Sequence, residues 1–206
     1  MFDEQSYEER YRSTDALWSG EPNPQLVREA ADLSPGRALD VGCGEGADAI
    51  WLAERGWQVT AVDFARTALH RGQAQAATLG PQVAGRIRWR YADLTVEEVG
   101  DRSFDLVSAQ FLQLPGEPRR AVFGRLAGAV APGGTLLVVG HDFGDLAAGA
   151  HRPPMPDMFF TAVEVAQLLD DGWEVLVAEA RPRPAAVHEG HDIAVHDAVL
   201  RARRLS

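Results

Sequence analysis

Lysine is missing from this 206-residue chain; all twenty basic residues are arginine. Schiff-base catalysis and a phosphate-loop lysine are therefore excluded. Cysteine occurs once, at Cys43, so no intramolecular disulfide can form, and no Cys or His spacing resembles a structural zinc site. No metal is expected. Apolar runs of membrane-spanning length are also missing, and Met1-Phe2-Asp3-Glu4 is acidic where a signal peptide needs a basic stretch and an apolar core. These absences point to the reducing cytoplasm and to no membrane partner. Positive charge is in deficit: 30 acidic residues against 20 basic give a formal net charge of −10. Such a field repels phosphate and argues against nucleic acid as a partner. A small-molecule partner remains, with the protein a monomer or homodimer.

The apolar content is ample, at 46% of residues, and the length suits one layered domain. Short β-rich runs alternate with longer segments at helical spacing, the pattern of a βαβ series with a mostly parallel sheet. Seven strands are predicted: Arg37 to Val41, Trp57 to Asp63, Ile87 to Tyr91, Phe104 to Ala109, Thr135 to Gly140, Trp173 to Arg181 and Ile193 to Arg201. Helices are predicted over Tyr7 to Trp18, Gln25 to Leu33, Ala47 to Arg55, Ala65 to Leu79 and Arg119 to Val130, with another opening at Thr161. Thr161 and Glu164 have capping-box spacing. Between the last two strands lies only Pro182 to Gly190, too little for a crossover helix, so these strands should form an antiparallel hairpin.

Chemistry concentrates in Asp40-Val41-Gly42-Cys43-Gly44-Glu45-Gly46-Ala47, where the first strand turns into a helix. Gly42 and Gly44 allow a tight turn and let a ligand approach bare backbone, while Gly46 permits close helix-to-strand packing. Asp63 closes the second strand about twenty residues on, where a carboxylate can accept both hydroxyls of a ribose. Gly42-x-Gly44-x-x-Ala47 also satisfies a relaxed dinucleotide fingerprint, so NAD(P)-dependent oxidoreduction is a rival reading. Charge favours the other one. Asp40 and Glu45 would oppose a pyrophosphate but attract a sulfonium and an ammonium.

The same residues resemble the first motif of the class I S-adenosylmethionine-dependent methyltransferases. The likeness runs from Arg37 to about Arg204 through Asp63, Ala92-Asp93-Leu94, Phe104-Asp105-Leu106-Val107 and Pro132-Gly133-Gly134-Thr135. It implies a Rossmann-like α/β fold with helices on both faces of a seven-stranded sheet, of order 3-2-1-4-5-7-6 with strand 7 antiparallel. It implies one methyltransferase domain over residues 1–206, with a helical lid in 1–35 and the core in 36–204. It also implies roles. S-adenosyl-L-methionine would be the cofactor, with Asp63 at the ribose, Asp93 at the adenine amine and the Leu94 amide at the ring. Gly42, Gly44 and Asp40 would line the methionine portion, Glu45, Gly46 and Phe64 would also bind the cofactor, and Gln110 with Phe111 would face the methyl group. Tyr11-Arg12 through Trp18 looks like the small-molecule branch that includes tellurite-resistance and thiopurine-type enzymes. Arg12 would pair either with the methionine carboxylate or, as a solvated side chain, with Glu8 and Glu9, and the Trp18 ring would either touch the sulfonium or fill the core of an N-terminal helix.

Methyl transfer is an in-line displacement at an already activated carbon, and it needs alignment of donor and acceptor more than acid–base help. A hydroxyl acceptor would need a base, and His141, after the fifth strand, is the candidate catalytic residue. His151 sits in a long connection, and His188 and His191 flank a predicted turn without the spacing of a zinc hydrolase. Pocket walls are expected from Gln110 to Leu114 and from His141 to Phe160, with Met155, Met158, Phe159 and Phe160 supplying apolar area. A non-catalytic module that binds adenosylmethionine is a further alternative, since fold does not fix function.

Overall fold

The computed structural model describes residues 4–97, 99–100, 102–147, 155–188 and 191–206, without the side chains of 147, 184–188 and 191–194. Two helices, α1 (Glu4–Arg12) and α2 (Pro24–Ala30), precede the sheet. Then follow β1 (Arg37–Val41), α3 (Ala47–Glu54), β2 (Gln58–Asp63), α4 (Arg66–Thr78), the single turn α5 (Pro81–Ala84) and β3 (Ile87–Tyr91). The second half runs through β4 (Phe104–Gln110), α6 (Gly116–Ala129), β5 (Val130–His141), α7 (Gly144–Ala147) and α8 (Ala162–Ala166). It ends in β6 (Trp173–His188) and β7 (His191–Arg204).

The sheet has the order β3-β2-β1-β4-β5-β7-β6, parallel except for β7, which runs antiparallel to both β5 and β6. β1 is its hub: Asp40 lies opposite Ala61 on one side and Ser108 on the other. Alternation along the strands splits the core in two. Leu39, Val41, Val107 and Val138 pack with α6 and α8, whereas Ala38, Leu106, Val139 and Val199 pack with α2 and α3. Asp40, Ser108 and Gln110 share the second face by the same alternation, and their strands end at one carboxyl edge.

The hairpin is where the chain departs furthest from the sequence-based expectation. Most of Pro182 to Gly190, expected as connection, is strand, and the paired arm reaches beyond the last residue of β5. Pro182 and Pro184 are tolerated because β6 is the edge strand and needs ladder donors on one side only. α1 stops at Arg12, short of the expected Trp18, because residues 13–18 leave the helix to bind elsewhere. Asn23 caps α2 by accepting from the Gln25 amide, with Pro24 at the first helical position. The capping box of Thr161 and Glu164 is formed, at 3.2 and 2.7 Å.

Candidate active site

The turn after β1 is held by backbone. The amides of Gly42 and Cys43 both donate to the Val62 carbonyl, and Gly46 donates to the Cys43 carbonyl. Gly44 and Gly46 adopt φ of 52° and 82°, a region that costs an L-residue roughly 1–2 kcal/mol. Space is restricted as well as angle. A Cβ on Gly44 would lie 2.9 Å from the Tyr11 hydroxyl, and one on Gly46 would lie 2.3 Å from the Trp89 ring. So Gly46 does permit close packing, against an aromatic of β3, while Gly44 lies beneath the N-terminal segment.

Carboxylates crowd this turn. Asp63 is buried, and its two oxygens accept from the amides of Gly44 and Ala65, each at 2.8 Å. Burial raises its affinity for a proton despite those bonds. Asp40 is almost fully buried and its Oδ2 has no hydrogen-bond partner. Burial first, then the charges of Asp48 and Asp63, push its carboxyl well above the ordinary range. Asp48 accepts from the Asn23 amide at 2.6 Å and is pushed by desolvation to about 6. The Cys43 thiol is raised too, by burial and then by Asp40 and Asp63, which keeps it protonated and inert.

Residues 11–18 form a strap across the turn. Trp18 Nε1 donates to the Tyr11 hydroxyl at 2.9 Å; Tyr11 is buried, while the Trp18 ring remains half exposed. Glu45 holds the strap down. Its Oε2 accepts from the amides of Leu17 and Trp18, and its Oε1 pairs with Arg71 at 2.9 Å. Arg71, from α4, also donates to the carbonyls of Tyr11 and Thr14. The Glu45 carboxylate, expected among the cofactor's neighbours, is thus engaged by a guanidinium and two amides. Arg12 is largely exposed and pairs with Glu8 one helical turn back, as the solvated-partner reading expects.

At the ends of β2 and β3, Phe64 meets Tyr7 edge to face at 5.4 Å. Asp93 Oδ1 accepts from the amide and hydroxyl of Thr95, leaving its second oxygen outside that turn. Leu94 packs in the core and its carbonyl accepts from Arg125. At the other end, Gln110 donates to Ser108 at 2.8 Å while its buried Oε1 has no partner. Phe111 is a non-glycine residue at φ 52°, fixed by its amide bond to the Val139 carbonyl. Its ring lies 4.8 Å from that of His141, which also meets Phe159 at 5.8 Å. Arg183, from the hairpin arm, stands over Phe111 and places a guanidinium nitrogen 3.5 Å from His141 Nδ1.

The expected apolar pocket wall divides. Met158, Phe159 and Phe160 are buried, and Phe160 fills the space above Gly140 and packs on Phe123 as core. Met155 is exposed. His151 and the side chains of His188 and His191 lie outside the described residues.

A family profile described as a methyltransferase domain matches residues 38–134, the span from β1 to the start of β5. An uncharacterized methyltransferase of Mycobacterium tuberculosis is 34% identical over 151 residues, 73% of this chain and 72% of that one. The chain belongs to the class I S-adenosylmethionine-dependent methyltransferases. A second relative of this methyltransferase is the 2-heptyl-1-hydroxyquinolin-4(1H)-one methyltransferase of Mycobacteroides abscessus, 32% identical over 130 residues, 61% of this chain and 56% of the other. Among solved structures, the N-methyltransferase NodS of Bradyrhizobium japonicum, crystallised with S-adenosyl-L-homocysteine, superposes with a TM-score of 0.73 over 98% of this chain and 99% of its own, at 18% identity. That last likeness concerns the fold.

The donor set fits the family's cofactor. The two orphaned side-chain oxygens beside the turn, on Asp40 and Gln110, are both acceptors, and an ammonium is a donor only. The positive-φ glycines leave bare backbone that a side chain would cover. No helix among the described residues is long and apolar enough to cross a membrane. Sequence reading missed the part played by Arg71 in this methyltransferase, and also Arg183, Asp145 and His196, because each acts through a partner far away in the chain.

Proposed function

We propose that this methyltransferase acts on a small-molecule acceptor, by in-line displacement at an oxygen, sulfur, nitrogen or chalcogen nucleophile, in the cytoplasm. When bound, S-adenosylmethionine supplies a methyl carbon already activated by its sulfonium. The chain's own task is to bind, align and exclude water. Asp63 serves the ribose and, through its bond to Gly44, fixes the turn beside it. Asp93 and the Leu94 amide serve the adenine, with Phe64 alongside. Gly42, Gly44 and Asp40 serve the methionine portion, and residues 1–35 act as a lid over the core of residues 36–204, with the Tyr11–Trp18 strap as its inner surface. Gln110 and Phe111 face the acceptor.

The observation that carries this reading is the pair of partnerless buried oxygens on Asp40 and Gln110, next to a glycine turn in a cluster of carboxylates. Such a site attracts positive charge and repels a pyrophosphate. Holding donor and acceptor in line in a dry cleft accounts for on the order of 7 to 11 kcal/mol of the barrier where alignment is good. The excess acidic charge and the identity of the hydroxyquinolone relative support a small acceptor over nucleic acid.

Two measurements test the proposal. Calorimetric titration is expected to show binding of S-adenosylmethionine and its demethylated product; micromolar binding of reduced nicotinamide dinucleotide in their place would overturn it. A panel of thiols, selenite, tellurite, phenols and 1-hydroxyquinolin-4(1H)-one should yield S-adenosylhomocysteine with at least one member. Tight cofactor binding with no product from any small acceptor would reduce the protein to a binding module.

A further inference from the structure

Charge is divided along the carboxyl edge of the sheet. Carboxylates crowd the turn after β1, whereas a guanidinium, that of Arg183, stands at the ends of β4 and β5. The strand register brings it there. His141 of β5 lies opposite Asp197 of β7, and Arg183 of β6 pairs with Val195, two residues farther out along the same arm. At roughly 3.3 Å per residue, Arg183 starts about 7 Å beyond the last residue of β5. Alternation puts Arg183, Asp197 and His141 on the face that carries Asp40, Ser108 and Gln110. The pair of Asp145 and His196, at 2.9 Å, braces α7 against β7 on the opposite face and takes no part.

From that position the side chain turns back toward the glycine turn. Its Cζ lies 5.1 Å from the centre of the Phe111 ring, and Nη2 lies 3.5 Å from His141 Nδ1. Phe111 adjoins the turn through the next residue, for a Cβ on Gly42 would lie 3.2 Å from Leu112 Cδ1. Contacts therefore run from the turn to the guanidinium. The same loop is reached from α1, where the Tyr7 hydroxyl donates to Gln113 at 3.1 Å. Asp197 holds the guanidinium from one side. Its Oδ1 lies 2.9 Å from Arg183 Nε, and its Oδ2 accepts from Gln25 at 3.1 Å. Asp197 is 1% exposed and Nε is buried, yet the Arg183 side chain as a whole keeps 30% exposure. Among the described residues nothing accepts from Nη1, and Nη2 meets only the His141 nitrogen. The edge formed by those two terminal nitrogens is one that grips a carboxylate through two parallel bonds.

We propose that Arg183 recognises the acceptor of this methyltransferase, and that the acceptor is a small organic acid. Its carboxylate meets the Nη1 and Nη2 edge of Arg183, and its apolar body lies along the half-buried rings of Phe111 and His141. The assignment rests on the methyl-transfer reading and adds the charge of the acceptor to it. The net charge of −10 makes such binding selective: it disfavours an anion over the surface at large, while charges beyond about 8 Å are screened and a guanidinium in contact is not. Donor and acceptor then sort by charge, the cationic donor at the carboxylates and the anionic acceptor at the arginine.

The test compares acids with neutral molecules of the same shape. With S-adenosylhomocysteine present, calorimetry should show benzoate and salicylate binding about tenfold or more tighter than benzamide and salicylamide. Acetate and inorganic phosphate, which lack the apolar body, should bind more weakly than benzoate. Arg183→Gln should abolish the preference for the acid. For thiosalicylate against thiophenol as acceptors, the variant should raise KM for the acid alone, with kcat changed less. Adenosylmethionine affinity should stay within about twofold, since the contacts of Arg183 are with the ends of β4 and β5. Because the single change leaves Asp197 buried without its cation, Arg183→Gln/Asp197→Asn replaces it where the melting temperature shows a lost fold. Equal binding of acids and amides by the unaltered protein, a preference kept by the folded variant, or phosphate binding as tightly as benzoate overturns the proposal. A large loss of adenosylmethionine affinity in the variant also overturns it, by giving Arg183 to the carboxylate of the cofactor. Each of these outcomes leaves methyl transfer standing, whereas absence of adenosylmethionine binding in the unaltered protein removes both.

Discussion

Around β1 and β2 the carboxyl edge of the sheet is shaped by backbone, with left-handed glycines and amides aimed at carbonyls and at Asp63. Around β5 and β7 it is shaped by side chains, through the pairs Asp145–His196, Arg183–Asp197 and Arg183–His141. A backbone site tolerates little change in the residues that make it, because each glycine is the only residue that fits its angle and its space. A side-chain site can be rewired pair by pair while the strands beneath it stay put. The difference suits a fixed cofactor on one side and a variable acceptor on the other.

The sharpest way to break the comparison is at Gly46. Gly46→Val combines positive φ with intrusion into the Trp89 ring, and should cost on the order of 3 kcal/mol or more in urea unfolding as well as cofactor binding. A folded, binding variant would show that the turn is not built by backbone constraint. Asp63→Ala comes next. Because its oxygens also hold the amides of Gly44 and Ala65, the loss should reach the fold: about 1–3 kcal/mol of stability, together with a tenfold or greater fall in adenosylmethionine affinity by calorimetry.

The carboxylate cluster supplies a third, through pH. Asp40, Asp48 and Asp63 all hold protons more tightly in the folded chain than in the unfolded one. Between those two values the folded state binds more protons, so their contribution to stability is best at low pH and is lost as pH rises, for Asp48 from about 4 up to about 6. Melting of the cofactor-free protein should therefore show a loss of stability across that window that Asp48→Asn reduces, and adenosylmethionine should stabilise more at pH 8 than at pH 5. A flat difference between the two proteins would remove Asp48 from the cluster. Arg71→Ala is expected to have a smaller effect, a severalfold fall in cofactor affinity with faster proteolysis within residues 13–20, since it frees the strap without touching the turn. The smallest effect belongs to Arg12→Ala. Its exposed pair with Glu8 should leave cofactor affinity within twofold, and a larger change would return Arg12 to the cofactor site.

Legibility followed the same division. β1 was readable to the residue because a buried parallel strand is a nearly continuous apolar run, β3 because Ile87-Arg88-Trp89-Arg90-Tyr91 alternates along an edge strand, and the turn because glycine spacing and a following carboxylate are local features. The engagement of Glu45 was not legible because a charge in a loop does not disclose that an arginine 26 residues on, and two amides 27 and 28 residues back, bind it. The extension of β6 and β7 was hidden by prolines, which are compatible with strand only at an edge, and which strand is the edge is a property of the sheet.

By itself the sequence determined the order of strands and helices, the glycine turn and the acidic character of its surroundings, because backbone conformation and burial periodicity are set by neighbours in the chain. Which charges are spent on one another was fixed only by the packed fold. Those pairings depend on contacts of a few ångströms between segments far apart in the chain, 51 residues for Asp145 and His196 and 152 for Glu29 and Arg181, separations across which residue type alone carries no geometry.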